Sequence, residues 1–189
     1  MTKEISLAGK KLVVGVSGSI AAYKTADLVS RLVQAGADVT VMMTPAACQF
    51  VSPLTFQTLS GNPVYKDFFE DPPEKLLPTH TTLAGHTDLM ILAPATADLI
   101  AKIALGLASD VVSAAVLASN KPVLVAPAMN VHMFENPITQ KHLAELKARG
   151  FYQAGPERGF LACRYEGMGR MAEPEAIIAK AHAILFSKK

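Results

Sequence analysis

With 189 residues, half of them hydrophobic, the chain has enough apolar surface to fill one well-packed unit, and a single domain over residues 1–189 is expected. The formal charge of +2 comes from scattered basic residues, which excludes a nucleic-acid or anionic-membrane footprint and leaves small molecules as the expected partners. Residues 1–6 lack the apolar core of a signal peptide, no apolar run reaches a membrane span, and two cysteines without paired spacing suit neither a disulfide scaffold nor a zinc site, so a cytoplasmic protein with free thiols and no metal is expected.

The run Lys11–Val16 is nearly all apolar and β-branched, the pattern of a strand buried on both faces. Ser19 opens a helical pattern to about residue 34, Gly36 stops it, and 37–43 reads as a second buried strand, giving a βαβ unit. Further strands are predicted at 88–93 and 122–127 and a weaker one at 151–154, with helices at about 45–59, 95–118, 137–149 and from Pro174. Residues 71–82 read as a long proline-containing loop. Strands alternating with helices imply an α/β fold, an open doubly wound parallel sheet in three layers of the flavodoxin-like kind, which binds ligands at the carboxyl ends of its strands.

Every unusual segment falls at such an end. The turn Gly15-Val16-Ser17-Gly18-Ser19-Ile20 offers amides and hydroxyls to a phosphate, although it is neither G-x-G-x-x-G nor a Walker A loop. The second strand ends at Met43-Thr44 without the acid that grips an NAD ribose, so a mononucleotide such as FMN suits it better than a dinucleotide. The competing reading makes Ser17, Gly18 and Ser19 a plain turn and helix cap. After the third predicted strand, Pro94-Ala95-Thr96-Ala97-Asp98-Leu99 would let a flat ring approach the backbone, or Thr96 or Asp98 simply caps a helix. Pro127-Ala128-Met129-Asn130 then exposes one amide side chain that donates and accepts at once. Downstream, Gly159-Phe160-Leu161-Ala162-Cys163 and the glycines that follow put a lone thiol in a loop. Cys48, among Ala46, Ala47 and Phe50, reads instead as a small core residue. Met129, Met133, Met168 and Met171 either line a flexible apolar pocket or fill the core.

In this order, the glycine turn, the alanine-rich turn, Pro-Ala-Met-Asn and Leu-Ala-Cys resemble the homo-oligomeric flavin-containing cysteine decarboxylases, over about residues 11–174. The resemblance implies FMN as cofactor, held by Gly18, Ser19, Ile20, Thr44, Thr96, Ala97, Asp98, Leu99 and Ala128. It implies substrate binding by Asn130, with Phe160, Ala162 and Met171 as weaker candidates, and catalytic roles for His80, Cys163 and Asn130. His86 and His132 compete with His80, while His142 and His182 read as helix-surface residues. Two positions depart from the family pattern: Arg164 follows the cysteine where glycine is usual, and Phe134 stands where tryptophan is common.

The activity implied is FMN-dependent decarboxylation of 4′-phosphopantothenoylcysteine to 4′-phosphopantetheine in coenzyme A biosynthesis. Losing carbon dioxide directly from an N-acyl cysteine leaves electrons with no sink. Oxidation to a thioaldehyde places a C=S bond β to the carboxylate, carbon dioxide then leaves readily, and the enethiol is reduced again. In that scheme Asn130 holds the carboxylate through neutral hydrogen bonds, His80 manages the oxidative-half proton or positions the substrate, and Cys163 supplies the acid, since an ordinary thiol with a pKa of about 8.5 is mostly protonated at neutral pH. The alternatives are a flavin-dependent decarboxylase of peptide carboxy-terminal cysteine and a non-catalytic flavin-binding regulatory subunit. A trimer or assembly of trimers is implied, as is a following phosphopantothenoylcysteine ligase domain if the natural chain is longer.

Overall fold

The computed structural model describes residues 5–68, 79–164 and 166–187, with the side chains of residues 79 and 80 outside that description. Six strands form one parallel sheet: β1 (Lys11–Val16), β2 (Asp38–Met43), β3 (Val64–Tyr65), β4 (Leu89–Ala95), β5 (Val123–Pro127) and β6 (Tyr152–Gln153), in the order β3-β2-β1-β4-β5-β6. β1 lies between β2, with Lys11 opposite Asp38, and β4, with Leu12 opposite Leu89, so the chain reverses its direction of winding at β1. That reversal opens a crevice at the carboxyl ends of β1 and β4.

The two-residue period of a strand divides the core into two layers. Leu12, Val14 and Val16 of β1, Ile91 and Ala93 of β4, and Leu124 and Ala126 of β5 pack under α1 (Ala22–Gln34), α2 (Pro53–Ser60) and α8 (Pro174–Phe186). Val13, Met90, Leu92, Val123 and Val125 face the other way, under α4 (Ala97–Leu105), α5 (Val111–Ala118) and α7 (Pro137–Ala148). α3 (Thr79–His86) packs beside α5 on that second side. Gly15 has to be small, because a Cβ there would sit 2.7 Å from Val112 Cγ1 and 2.9 Å from Leu92 Cδ2. The result is a helix-sheet-helix sandwich of the flavodoxin-like type. Among the described residues, no helix is long and apolar enough to cross a membrane.

Several elements differ from the expectations. α1 begins at Ala22, because Ser19 to Ala21 form preceding turns in which Ser19 Oγ accepts the Ala21 N–H at 3.2 Å. The helix expected over 45–59 is a 3-10 turn (Ala47–Gln49) followed by α2, which Ser52 caps and Pro53 starts. The helix expected over 95–118 is two helices: Gly106, at φ +72°, ends α4, and Asp110 opens α5 with a reciprocal capping box to Ser113. α3 begins inside the expected loop over 71–82, while residues 69–78 lie outside the description. Three features were not anticipated: the short β3, the single-turn α6 (Val131–Glu135), and an antiparallel hairpin of β7 (Glu157–Phe160) and β8 (Glu166–Arg170).

Candidate active site

A cavity of about 500 Å³ lies where the β1–α1 turn, the turn after β5 and the β7–β8 hairpin meet. Its walls include Ser19, Ile20, Ala128, Asn130, Phe160, Ala162, Cys163 and Met171, so eight of the expected site residues converge on one space. Met129 also lines it, whereas Met133 is half exposed on α6.

At its centre Asn130 and Cys163 touch. The Asn130 Nδ2 donates to Cys163 Sγ at 3.3 Å, and the Asn130 Oδ1 accepts the His132 N–H at 2.8 Å, capping α6. The cap fixes which end of the amide meets the sulfur, since a backbone N–H can only be met by the oxygen. Two glycines bring the hairpin onto this turn. Gly167 lies against Val131, where a Cβ would sit 2.8 Å from the Val131 Cβ, and Gly169, at φ +146°, lies directly on the Met129 carbonyl oxygen. The Met129 N–H donates to the Gly169 carbonyl at 3.0 Å. Cys163 is exposed at the hairpin tip, and Arg164 beside it takes the left-handed conformation at φ 70°, alone among the described non-glycine residues. That conformation favours glycine, the residue the resemblance led one to expect there.

The first turn has the makings of a phosphate cradle. Gly18 packs so closely on Ala46 that a Cβ would approach the Ala46 Cβ to 2.5 Å. The amides of Gly18, Ser19 and Ile20 have no hydrogen-bond partner among the described residues, which suits a phosphate. Buried Ser17 ties this turn to the end of β4: its Oγ donates to the Pro94 carbonyl at 2.7 Å and accepts the Thr96 N–H at 3.0 Å.

Gly18, Thr44, Thr96, Ala97, Asp98 and Leu99 are not among the residues lining the cavity. Thr44 is nearly buried at the end of β2 and accepts the Ala47 N–H at 3.2 Å. Thr96 caps α4 by accepting the Leu99 N–H at 3.3 Å, Asp98 pairs with Lys102 at 2.9 Å, and the Leu99 side chain is fully buried in the core. The capping reading of this turn therefore holds. The Ala97 and Asp98 amides nevertheless lack partners among the described residues, so the helix start can still meet a ring edge.

The side chain of His80, expected to be catalytic, falls outside the described residues. His86 is exposed, its Nδ1 2.8 Å from the Thr82 carbonyl, His132 is exposed on α6, and His182 stacks on Phe186. Cys48 is half buried in the 3-10 turn. Sequence reasoning missed Lys24 and Arg170, both of which line the cavity. No sequence signal marked Lys24: counted from Ser19 it lies beyond the first helical turn, and only the observed start of α1 at Ala22 brings it near the positive end of the macrodipole.

Fold and site together define a flavodoxin-like α/β protein in which an amide and a thiol meet beside a cavity at the strand ends. The chain belongs to the flavoprotein family, whose model matches residues 2–185. It is 47% identical over 185 residues to the coenzyme A biosynthesis bifunctional protein CoaBC of Haemophilus influenzae, covering 98% of this chain and 46% of that protein. The chain thus spans less than half the length of the curated relatives it matches. A solved PPC decarboxylase mutant complexed with pantothenoylaminoethenethiol superposes with a TM-score of 0.83 at 29% identity, over 91% of this chain and 96% of that one. The FMN binding protein AtHal3 superposes with a TM-score of 0.83 at 30% identity, over 95% and 98% of the two chains.

Proposed function

We propose that this protein binds FMN and decarboxylates 4′-phosphopantothenoylcysteine to 4′-phosphopantetheine, as one trimer-forming domain of coenzyme A biosynthesis. The observation that carries the reading is the Asn130 amide held against the Cys163 thiol in a cavity bordered by unpaired phosphate-binding amides. The family and its FMN-binding and PPC decarboxylase neighbours support it. The ligase function of the bifunctional relatives belongs to the longer proteins and is proposed here only as a neighbouring domain of a longer natural chain.

The residues fit the cofactor: the Gly18, Ser19 and Ile20 amides take the phosphate, Thr44 stands where a dinucleotide-binding acid would be, and the Ala97 and Asp98 amides are open to the ring. When bound, the flavin supplies the removal and return of a hydride at the sulfur-bearing carbon. The remaining work falls to the chain. Asn130 Nδ2 carries two N–H groups, so it can hold the substrate carboxylate while still meeting the thiol. As a neutral donor it does not lock that carboxylate in its charged ground state, which an arginine would. Ala128, Met129, Leu161 and Met171 give the cavity apolar walls that keep water from the reacting carbon. Cys163 gives the final proton, and His80 takes the proton of the oxidative half.

Cys163→Ser tests the reading, because a serine hydroxyl is too weak an acid to replace the thiol in the last step. The flavin-loaded mutant should release carbon dioxide yet accumulate a product two hydrogens short of the normal one, detected by mass spectrometry, while Cys48→Ser behaves like the unmodified protein. Full conversion to the saturated thiol by Cys163→Ser would remove the cysteine from the mechanism.

A further inference from the structure

Two cations line the cavity wall, Lys24 on α1 and Arg170 at the end of β8, and both converge on one oxygen. Glu173 Oε1 lies 2.9 Å from Lys24 Nζ and 3.0 Å from Arg170 Nη2. Glu157 Oε2 shares the same Arg170 nitrogen at 3.3 Å, and Glu157 Oε1 accepts the Glu173 N–H at 3.4 Å. The Lys24 side chain is only 14% exposed, whereas its partner Glu173 is 42% exposed, at the N-cap position of α8 whose amides its side chain does not cap. A lysine sunk this far needs an anion, and here the anion sits on a side chain half in water. Arg170 Nε, in addition, is a buried donor with no acceptor among the described residues. The cations therefore offer more donors than the two carboxylates engage, on a wall facing the space where substrate binds.

The geometry points to an anion receptor: Lys24 and Arg170 bind the terminal phosphate of the substrate, and Glu173 holds their place until it arrives. This rests on the decarboxylase reading above and adds the recognition of the end of the substrate that does not react. The division of labour follows from the chemistry. The carboxylate that must leave meets a neutral amide, and the phosphate that must stay meets cations, where uniform binding costs nothing in the chemical step. The cofactor phosphate is assigned to the unpaired amides of Gly18 to Ile20, leaving the cation pair to the substrate. Because a peptide ending in cysteine has no such phosphate, the pair discriminates between the two substrate classes.

Steady-state kinetics of the flavin-loaded protein with the phosphorylated substrate and with its dephosphorylated form tests this. The unmodified protein should prefer the phosphorylated form, and Lys24→Met and Arg170→Gln should each cut that preference by about tenfold or more, the loss of one charge-assisted contact, through KM rather than kcat. Glu173→Gln, lacking the placeholder charge, should lower KM for the phosphorylated form and strengthen competitive inhibition by inorganic phosphate. An unchanged preference in both cation variants overturns the proposal, and so does loss of the flavin band from them, which would give the cations to the cofactor. Absence of turnover with both substrates in the unmodified protein sinks the decarboxylase reading instead. In that event calorimetry of inorganic phosphate binding to flavin-loaded protein still decides the receptor: weakened binding in Lys24→Met supports it, and equal binding overturns it.

Discussion

The segments that follow β1 and β5 and the β7–β8 hairpin border the same cavity but are held by different forces. The strands that lead into the first two are buried along nearly their whole length, with Val14, Ile91 and Leu124 fully removed from water on the sheet's first face. The hairpin leaves Arg158 and Phe160 exposed and is fixed by two glycine contacts, the Met129–Gly169 bond and a group of ion pairs. Hydrophobic burial does not depend on the hairpin's geometry, whereas its few polar and steric contacts do. The half of the site that follows the strands is therefore anchored by the core, and the half that carries the thiol by a few local contacts.

The widest separation between the two regions should come from truncation. Ile91→Ala removes a fully buried side chain and should cost about 2–5 kcal/mol, while Phe160→Ala, 67% exposed, should cost less than about 0.5 kcal/mol, both read from denaturant midpoints. Phe160→Ala should nonetheless alter KM, because that side chain lines the cavity. Next in size is Asn130→Asp at the seam between the regions. An aspartate keeps the cap to His132 but cannot donate to Cys163 and repels the substrate carboxylate, so activity should fall by about a hundredfold or more with flavin content intact. Near-normal turnover in a flavin-loaded mutant would remove Asn130 from the site.

Two smaller effects probe the hairpin alone. Arg164→Gly should relieve about 1 kcal/mol of left-handed strain, offset in part by the greater freedom of glycine in the unfolded chain. Slower hydrogen exchange of the amides of β8 would register the gain. The smallest effect is a pH dependence. The Lys24 hydrogen bond, helped by the Lys24 and Arg170 charges and opposed by burial, holds the Glu173 carboxyl below its usual range. Its contribution is therefore complete above the ordinary carboxylate pKa of about 4.3 and is lost as pH falls through the lower folded value. Because the group is half exposed, only a few tenths of a kcal/mol, roughly, are at stake. Protection of the β8 amides, taken relative to the intrinsic exchange rate at each pH, should fall as pH drops below about 4, and this loss should vanish in Glu173→Gln.

The same contrast explains what could be read in the sequence. β1, β2, β4 and β5 announce themselves as nearly continuous apolar runs because both their faces are largely buried, and they set the sheet and the crevice. Glu-Arg-Gly-Phe and Glu-Gly-Met-Gly-Arg show no such signal, since β7 and β8 form a pair of strands lying off the main sheet whose glycines serve contacts with the Asn130 turn. The α4–α5 break was hidden because Gly106 lies among helix formers, and its meaning depends on the capping box at Asp110. Asn130 and Cys163 were legible as unusual residues in unusual places, but their contact spans 33 residues and needed the fold. Lys24 and Arg170 passed for ordinary surface charge, because what sets them apart is the shared Glu173 oxygen.

Ser17 has a mechanical consequence of its own. Its buried hydroxyl donates a hydrogen bond to the Pro94 carbonyl and accepts one from the Thr96 N–H, and its own N–H reaches the same carbonyl at 3.2 Å, so one residue rivets the start of the first crossover to the end of the fourth strand. The β1–α1 turn and the α4 helix start are thus prevented from drifting independently: a shift in one is transmitted to the other across a joint one residue wide. A cofactor bridging the two turns would meet a frame of fixed span, and chains with alanine at position 17 should bind it more loosely without losing any group that touches it.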